Sequence, residues 1–217
     1  MLFPVLRRRQ LLGLAAASSL LSACGKKRPQ KTAALPAGTT VLALGDSLTQ
    51  GVGASGASQA WPALLAQASN WNVINAGISG DTSAQALQRL PALLDEHRPA
   101  LVLIGIGGND FLRQMSAAAA RDNIRRMVQL ATDGGAQVLL IGIPQFSLLA
   151  ASTGRLSDHP LYAELAKELD LPLHGGGWSE VLSRAELRAD QIHANDQGYA
   201  LFAQGLQDSL QRQGWLQ

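Results

Sequence analysis

Ser47 ends the segment Val41-Leu42-Ala43-Leu44-Gly45-Asp46-Ser47. Its apolar run, Val41–Leu44, has strand length and stops at a glycine, so it reads as a buried strand that delivers the serine to its carboxyl end. Open α/β sheets place their ligand sites there. A serine hydroxyl is a weak nucleophile near neutral pH and needs a base. Histidine, with an ordinary pKa of about 6.5, can take and return a proton in that range. His193 lies three residues after Asp190 in Asp190-Gln191-Ile192-His193. In a turn, that spacing lets a carboxylate meet the ring. The expected roles are Ser47 as nucleophile, His193 as general base and then acid, and Asp190 as the group that holds the ring's tautomer. Singly, each has a plainer reading: Ser47 as a helix cap, His193 as an exposed histidine, Asn109 as a turn residue beside a capping Asp110. Asp46 and Asp110 read as structural groups bonding loop amides. A paired-carboxylate glycosidase is disfavoured, because it leaves Ser47 and His193 without a role.

Four blocks stand in order: Gly45-Asp46-Ser47-Leu48, Asn75-Ala76-Gly77, Gly107-Gly108-Asn109-Asp110 and Asp190-Gln191-Ile192-His193. In this order they resemble the SGNH (GDSL-type) hydrolases, over about Thr40 to Gly205. The segments Ile78-Ser79-Gly80-Asp81-Thr82 and Gly107-Gly108-Asn109-Asp110 are similar to those of the bacterial periplasmic thioesterase, lysophospholipase and arylesterase group. The resemblance implies a three-layer α/β/α sandwich around a mainly parallel, flavodoxin-like five-stranded sheet. It also implies an oxyanion hole made of the Ser47 N–H, the Gly77 N–H and the Asn109 side-chain amide. Each such donor contributes roughly 10²–10³ in rate. One departure is Ala194, where the family usually has proline after the histidine; a looser loop is expected there.

The elements that must position these residues alternate. Strands are expected at Thr40–Leu44, Trp71–Asn75, Ala100–Ile106, Gln137–Ile143 and Leu171–Leu173. Helices are expected at Trp61–Gln67, from a cap at Asp81 or Thr82 through Leu94, at Ala117–Ala131, at Leu161–Leu169 and at Asp196–Gln211. Alternation of this kind gives a parallel sheet covered on both faces. Residues 145–160 form a long connection without periodicity, the kind of loop that is often functional.

The chain has 217 residues, of which 47% are hydrophobic and 16% charged, enough for one domain with a real core. Seven of its eighteen Lys and Arg lie within residues 1–31, and no acidic residue precedes Asp46. The remaining body therefore carries 11 basic against 16 acidic residues, which argues against nucleic-acid binding. Arg7-Arg8-Arg9 followed by the apolar Leu11–Leu21 has the dimensions of a secretory signal peptide and is too short to span a bilayer. Leu21-Ser22-Ala23-Cys24 resembles the lipobox of bacterial lipoproteins, and Cys24 is the chain's only cysteine. Arg8-Arg9-Gln10-Leu11-Leu12 also resembles a twin-arginine export signal, which leaves two export routes open. The expected organisation is a lipoprotein-type signal peptide over 1–23, a flexible tether over 24–38 and a hydrolase domain over 39–217, facing the periplasm or cell surface.

Other patterns carry less. Gly51-Val52-Gly53-Ala54-Ser55-Gly56 matches a dinucleotide fingerprint but lies beyond the strand-to-helix turn, so it reads as a flexible rim. His174-Gly175-Gly176-Gly177 looks like the oxyanion motif of α/β-hydrolase lipases, but it follows the serine, which lacks the Gly-x-Ser-x-Gly elbow. It reads as a loop near the site. His97 and His159 have no ligand-spaced partner, so no metal and no cofactor is indicated. Trp61, Trp71, Trp178 and Trp215 read as core or rim. The function expected is hydrolysis of acyl esters, thioesters or lysophospholipids through an acyl-enzyme. The expected protein is a monomer, with a small acyl ester as substrate and a membrane held through the N-terminal lipid anchor. The alternatives are an O-acetyl esterase acting on carbohydrate or cell-wall glycan, and a non-catalytic surface lipoprotein that binds acylated ligands.

Overall fold

Five strands form one all-parallel sheet in the computed structural model, which describes residues 34–145 and 156–217. They are β1 (Thr40–Gly45), β2 (Asn72–Gly77), β3 (Leu101–Gly105), β4 (Gln137–Ile141) and β5 (Leu173–His174), in the order β2-β1-β3-β4-β5. Val41–Leu44 and Leu101–Ile104 are fully or almost fully buried, as continuous apolar strands covered on both faces must be. Eight α-helices occur among the described residues: α1 (Ser47–Gln50), α2 (Trp61–Ser69), α3 (Ser83–His97), α4 (Gly108–Leu112), α5 (Ala117–Asp133), α6 (Leu161–Leu169), α7 (Gly177–Ser183) and α8 (Asp196–Gln213). Helices α3, α5 and α6 pack in one row, and α2, α8 and α7 in another, closing two helical layers over the sheet. All four tryptophans belong to the buried core; Trp178 stacks on Phe202 of α8 with ring centroids 3.7 Å apart.

The strand order sets where a ligand can bind. From β1 the chain steps outward to β2, then crosses back to β3 on the other side. The carboxyl ends of β1 and β3 therefore flank a topological switch point. Gly45 pairs with Gly77 on one side and Gly105 on the other. A Cβ at Gly45 would stand 2.6 Å from the Gly105 carbonyl oxygen and 2.0 Å from Thr49 Oγ1. The glycine at the end of β1 is thus what lets the following turn lie close over the sheet.

Several boundaries differ from the sequence reading. Helix α3 runs three residues past Leu94, with Thr82 as its cap in a capping box with Gln85. Strand β5 falls at Leu173–His174 rather than Leu171–Leu173, because Leu171 N–H still bonds the Ala166 carbonyl at the end of α6. Residues 34–38, read as part of a flexible tether, are held to the domain. Leu35 N–H donates to the Trp215 carbonyl, Trp71 Nε1 donates to the Leu35 carbonyl, and Gly38 N–H donates to the Asn70 carbonyl. Cys24 and the expected signal peptide lie outside the described residues, as do residues 146–155 of the long connection.

Candidate active site

Ser47 is the first residue of α1, immediately after the strand. Asp46 caps that helix: its Oδ1 accepts the Leu48 N–H at 3.1 Å. The Asp46 carboxyl is 3% exposed, and burial pushes its pKa up to about 7, against the N–H of Leu48 and the charge of His193. Opposite Ser47 stands His193, whose Nε2 lies 3.0 Å from Ser47 Oγ. His193 Nδ1 lies 2.7 Å from Asp190 Oδ2, and Asp190 Oδ1 accepts the N–H groups of Ile192 and His193, each at 2.8 Å. Partial burial raises the Asp190 pKa. The hydrogen bonds from the His193 ring and those two amides overcome that and hold the carboxyl below its ordinary value. An ionised carboxylate only accepts, so Nδ1 carries the ring proton and Nε2 turns its lone pair to the Ser47 hydroxyl.

The loop that carries His193 is fixed from several sides. Ala194, in place of the expected proline, is fully buried and forms an antiparallel bridge with Arg188. Asn195 caps α8 through the Gly198 N–H and donates to the Glu186 carbonyl. The 51–56 stretch, read as a flexible rim, is clasped to the same loop. Tyr199 Oη donates to the Val52 carbonyl at 2.7 Å, while Ser55 N–H and Oγ donate to the Asp196 carboxylate at 2.7 and 2.6 Å. A Cβ on Gly53 would stand 2.4 Å from the Ala194 carbonyl oxygen. The expected looseness at Ala194 is therefore not seen: strand-like bonding and the clasp supply the constraint that a proline ring would have given.

Asn109 sits in α4, which starts just beyond β3, and its Nδ2 donates to the Asp81 carbonyl at 2.9 Å, leaving its second N–H hydrogen for another acceptor. Asp110 accepts Ser83 N–H at 2.8 Å and Ser83 Oγ at 2.6 Å, tying α4 to the start of α3. Gly77 differs from the sequence reading. Its N–H donates to Asn75 Oδ1 at 3.0 Å, and a Cβ there would stand 2.2 Å from Gln50 N and 2.8 Å from the Asp46 carbonyl oxygen. Its role in this geometry is close packing beneath the Ser47 turn, and its only donor is already used.

The turn that follows has a backbone N–H with no partner among the described residues. Asp81 N–H donates to the Ile78 carbonyl at 3.1 Å, and Gly80 has φ +85° at the third position, the signature of a type II turn. The central peptide of such a turn takes no part in its closing bond, so the Gly80 N–H stays unpaired among the described residues. Its carbonyl is held by Arg113 at 3.0 Å. A sequence signal was present: Ile78-Ser79-Gly80-Asp81 places glycine where a type II turn requires it.

Asp46, Ser47, Leu48, Gly108, Asn109, Leu112, Ile143 and Ile192 line a shallow cleft at this point. Ile78, Leu112 and Met115 are each close to half exposed. The His174–Gly177 stretch lines a different concavity at the far edge of the sheet, with Phe202, Asp208 and Arg212. Nothing in the geometry brings that stretch to Ser47.

Residues 43–201 match the GDSL-like lipase/acylhydrolase family. The chain is 40% identical over 181 residues to thioesterase 1/protease 1/lysophospholipase L1 of Escherichia coli K12, covering 81% of this chain and 85% of that protein. Among solved structures, that of TesA superposes with a TM-score of 0.69 at 34% identity, covering 81% of this chain and 99% of that one. The psychrotrophic esterase EstA from Pseudoalteromonas, in a form inhibited by monoethylphosphonate, gives a TM-score of 0.68 at 27% identity over 80% of this chain and 97% of its own.

Proposed function

The chain belongs to the GDSL-like lipase/acylhydrolase family and is an ester-hydrolysing enzyme; from that premise we propose a serine esterase working through Ser47, His193 and Asp190. The observation that carries this reading is the continuous relay from Asp190 through both ring nitrogens to Ser47 Oγ, at 2.7 and 3.0 Å. As Ser47 Oγ bonds to the acyl carbon, its proton passes to His193 Nε2, and Asp190 stabilises the imidazolium so formed. The carbonyl's π electrons collect on oxygen. We assign that oxyanion to the N–H of Ser47, the N–H of Gly80 and the free hydrogen of Asn109 Nδ2, with Gly80 taking the place expected for Gly77. Collapse expels the alcohol, or the thiol of a thioester, which takes the proton from His193. A water then gives its proton to His193 and its hydroxyl to the acyl carbon; the bond from that carbon to Ser47 Oγ breaks, His193 returns the proton to Oγ, and the acid leaves.

The wider substrate range, thioesters and lysophospholipids, is supported by the name of the Escherichia coli relative and by the half-exposed Leu112 beside the cleft. Ser47→Ala is expected to abolish hydrolysis of p-nitrophenyl acetate and labelling by a fluorophosphonate, with the label mapping to the Ser47 peptide of the unaltered enzyme. Full activity in Ser47→Ala overturns the reading. A panel of acyl-CoA, lysophospholipid and acetylated glycan then fixes the leaving group. The sequence of residues 1–31 supports an exported lipoprotein anchored through Cys24.

A further inference from the structure

Arg89 lies within α3, and its side chain is only 20% exposed. Its guanidinium spans two groups. Nε donates to Asp81 Oδ2 at 2.8 Å, with Asp81 itself 9% exposed, and a terminal nitrogen donates to the Gly45 carbonyl at 2.9 Å. Those two groups lead to all three donors assigned to the oxyanion. Gly45 is the last residue of β1, two residues before Ser47, and its carbonyl also accepts the Ile78 N–H that opens the Gly80 turn. Asp81 closes that turn, and its main-chain carbonyl holds Asn109 Nδ2.

We propose that Arg89 is a positioning residue that sets the mutual placement of the Ser47 N–H, the Gly80 N–H and the Asn109 amide. The proposal rests on the esterase reading above. Its physical basis is the rigidity of the guanidinium: a planar fork with fixed N–H directions holds two acceptors at one geometry, which a flexible ammonium cannot do. If Asp81 turns, the Gly80 N–H and the Asn109 anchor shift with it, because Asp81 closes the turn that carries Gly80 and its carbonyl holds Asn109. Misplaced donors weaken binding of the oxyanion, which exists only in the transition state, and leave ground-state binding of the ester almost untouched. An ion pair that served the fold alone would give a different result, a lower melting temperature with catalysis intact in the folded fraction.

The test compares Arg89→Lys and Arg89→Met with the unaltered enzyme on p-nitrophenyl acetate, with folding checked by thermal melts. The expected result is a fall in kcat of about tenfold for the lysine variant and more for the methionine variant, with KM within about threefold, since loss of one donor costs about 10²–10³. Lysine, which keeps the charge but not the fork, restores only part of the loss. If neither variant folds, Asp81→Asn decides by the same split, because it keeps the main-chain carbonyl that holds Asn109. Folded variants with unchanged kcat, or a loss confined to KM, overturn the inference. Ser47→Ala separates the two levels: a dead Ser47→Ala beside a fully active Arg89→Lys removes only the positioning role, whereas an active Ser47→Ala removes the esterase reading itself.

Discussion

At the scale of single residues, the site depends on which polar atoms the fold leaves unpaired. Ser47, Asp190, His193 and Asn109 were legible in the sequence because each sits in a short pattern at a strand end or turn. The Gly80 N–H, proposed as the second oxyanion donor, was not. Gly77 and Gly80 are both glycines after β2, and only the finished hydrogen-bond pattern separates them. Asn75 consumes the Gly77 N–H at 3.0 Å, while the type II turn at Ile78–Asp81 leaves the Gly80 N–H without a partner among the described residues. This distinction can be measured in solution. On phosphonylation of Ser47, the backbone amide protons of Ser47 and Gly80 should move downfield, as donors to a charged oxygen do, and Gly77 should stay in place. A shift at Gly77 with none at Gly80 would return the donor to the residue first expected. Asn109→Ala should lower kcat by about 10²–10³, the usual loss for one oxyanion donor, with little change in KM.

At the scale of elements, periodicity gave the strands and long helices to within a few residues, because their burial is written in apolar spacing. Ala120, Ile124, Met127, Val128 and Ala131 face inward on α5 as a helical stripe must. Loops were harder to read, because their order comes from contacts with distant segments. The Gly51–Ser55 stretch is polar and small, so composition suggests mobility, yet Asp196 and Tyr199 of α8 hold it beneath His193. The His174 stretch shows the same difficulty. Its motif suggests chemistry, whereas its side chain joins β5 to α8 through Ser209 Oγ at 2.9 Å and an edge contact with Phe202. Burial pushes the His174 pKa down from 6.5 to about 4. The unfolded chain therefore takes up this proton first, and stability falls as pH drops from about 6.5 towards 4, on the order of 1.4 kcal/mol per pKa unit. Urea midpoints across this window should show the advantage of the unaltered protein over His174→Asn shrinking as pH falls. A constant gap would mean that the histidine does not titrate this way. Ester hydrolysis by the folded variant at neutral pH should be unchanged, since His174 lines a separate concavity.

At the scale of the whole molecule, the two ends of the sheet have different tasks. The carboxyl ends of β1 and β3 hold the Ser47 site at the switch point. The amino ends receive the chain, because Leu35 and Gly38 bond Trp215, Trp71 and Asn70 just ahead of β2. The described chain therefore enters the domain at Leu35, at the end of the sheet opposite the cleft, and a lipid anchor at Cys24, as proposed, would attach from that side. The mildly acidic body, with 11 basic against 16 acidic residues beyond residue 31, gives little attraction to an anionic membrane, so the proposed anchor would rest on acyl chains at Cys24 and on Lys26, Lys27, Arg28 and Lys31 beside it. One chain gives only marginal binding, at about 0.8 kcal/mol per buried CH₂, so the proposed anchor needs a second signal, either further chains on Cys24 or the basic run that follows it. In an exporting bacterial host, the full chain should partition with membranes and yield an N-terminal peptide whose mass carries those chains. Cys24→Ala should lose both properties while keeping its kcat on p-nitrophenyl acetate, because the site lies at the other end of the strands from the point of attachment. An unmodified, freely soluble Cys24 protein from that host would remove the anchor and leave the chemistry at Ser47 as it stands.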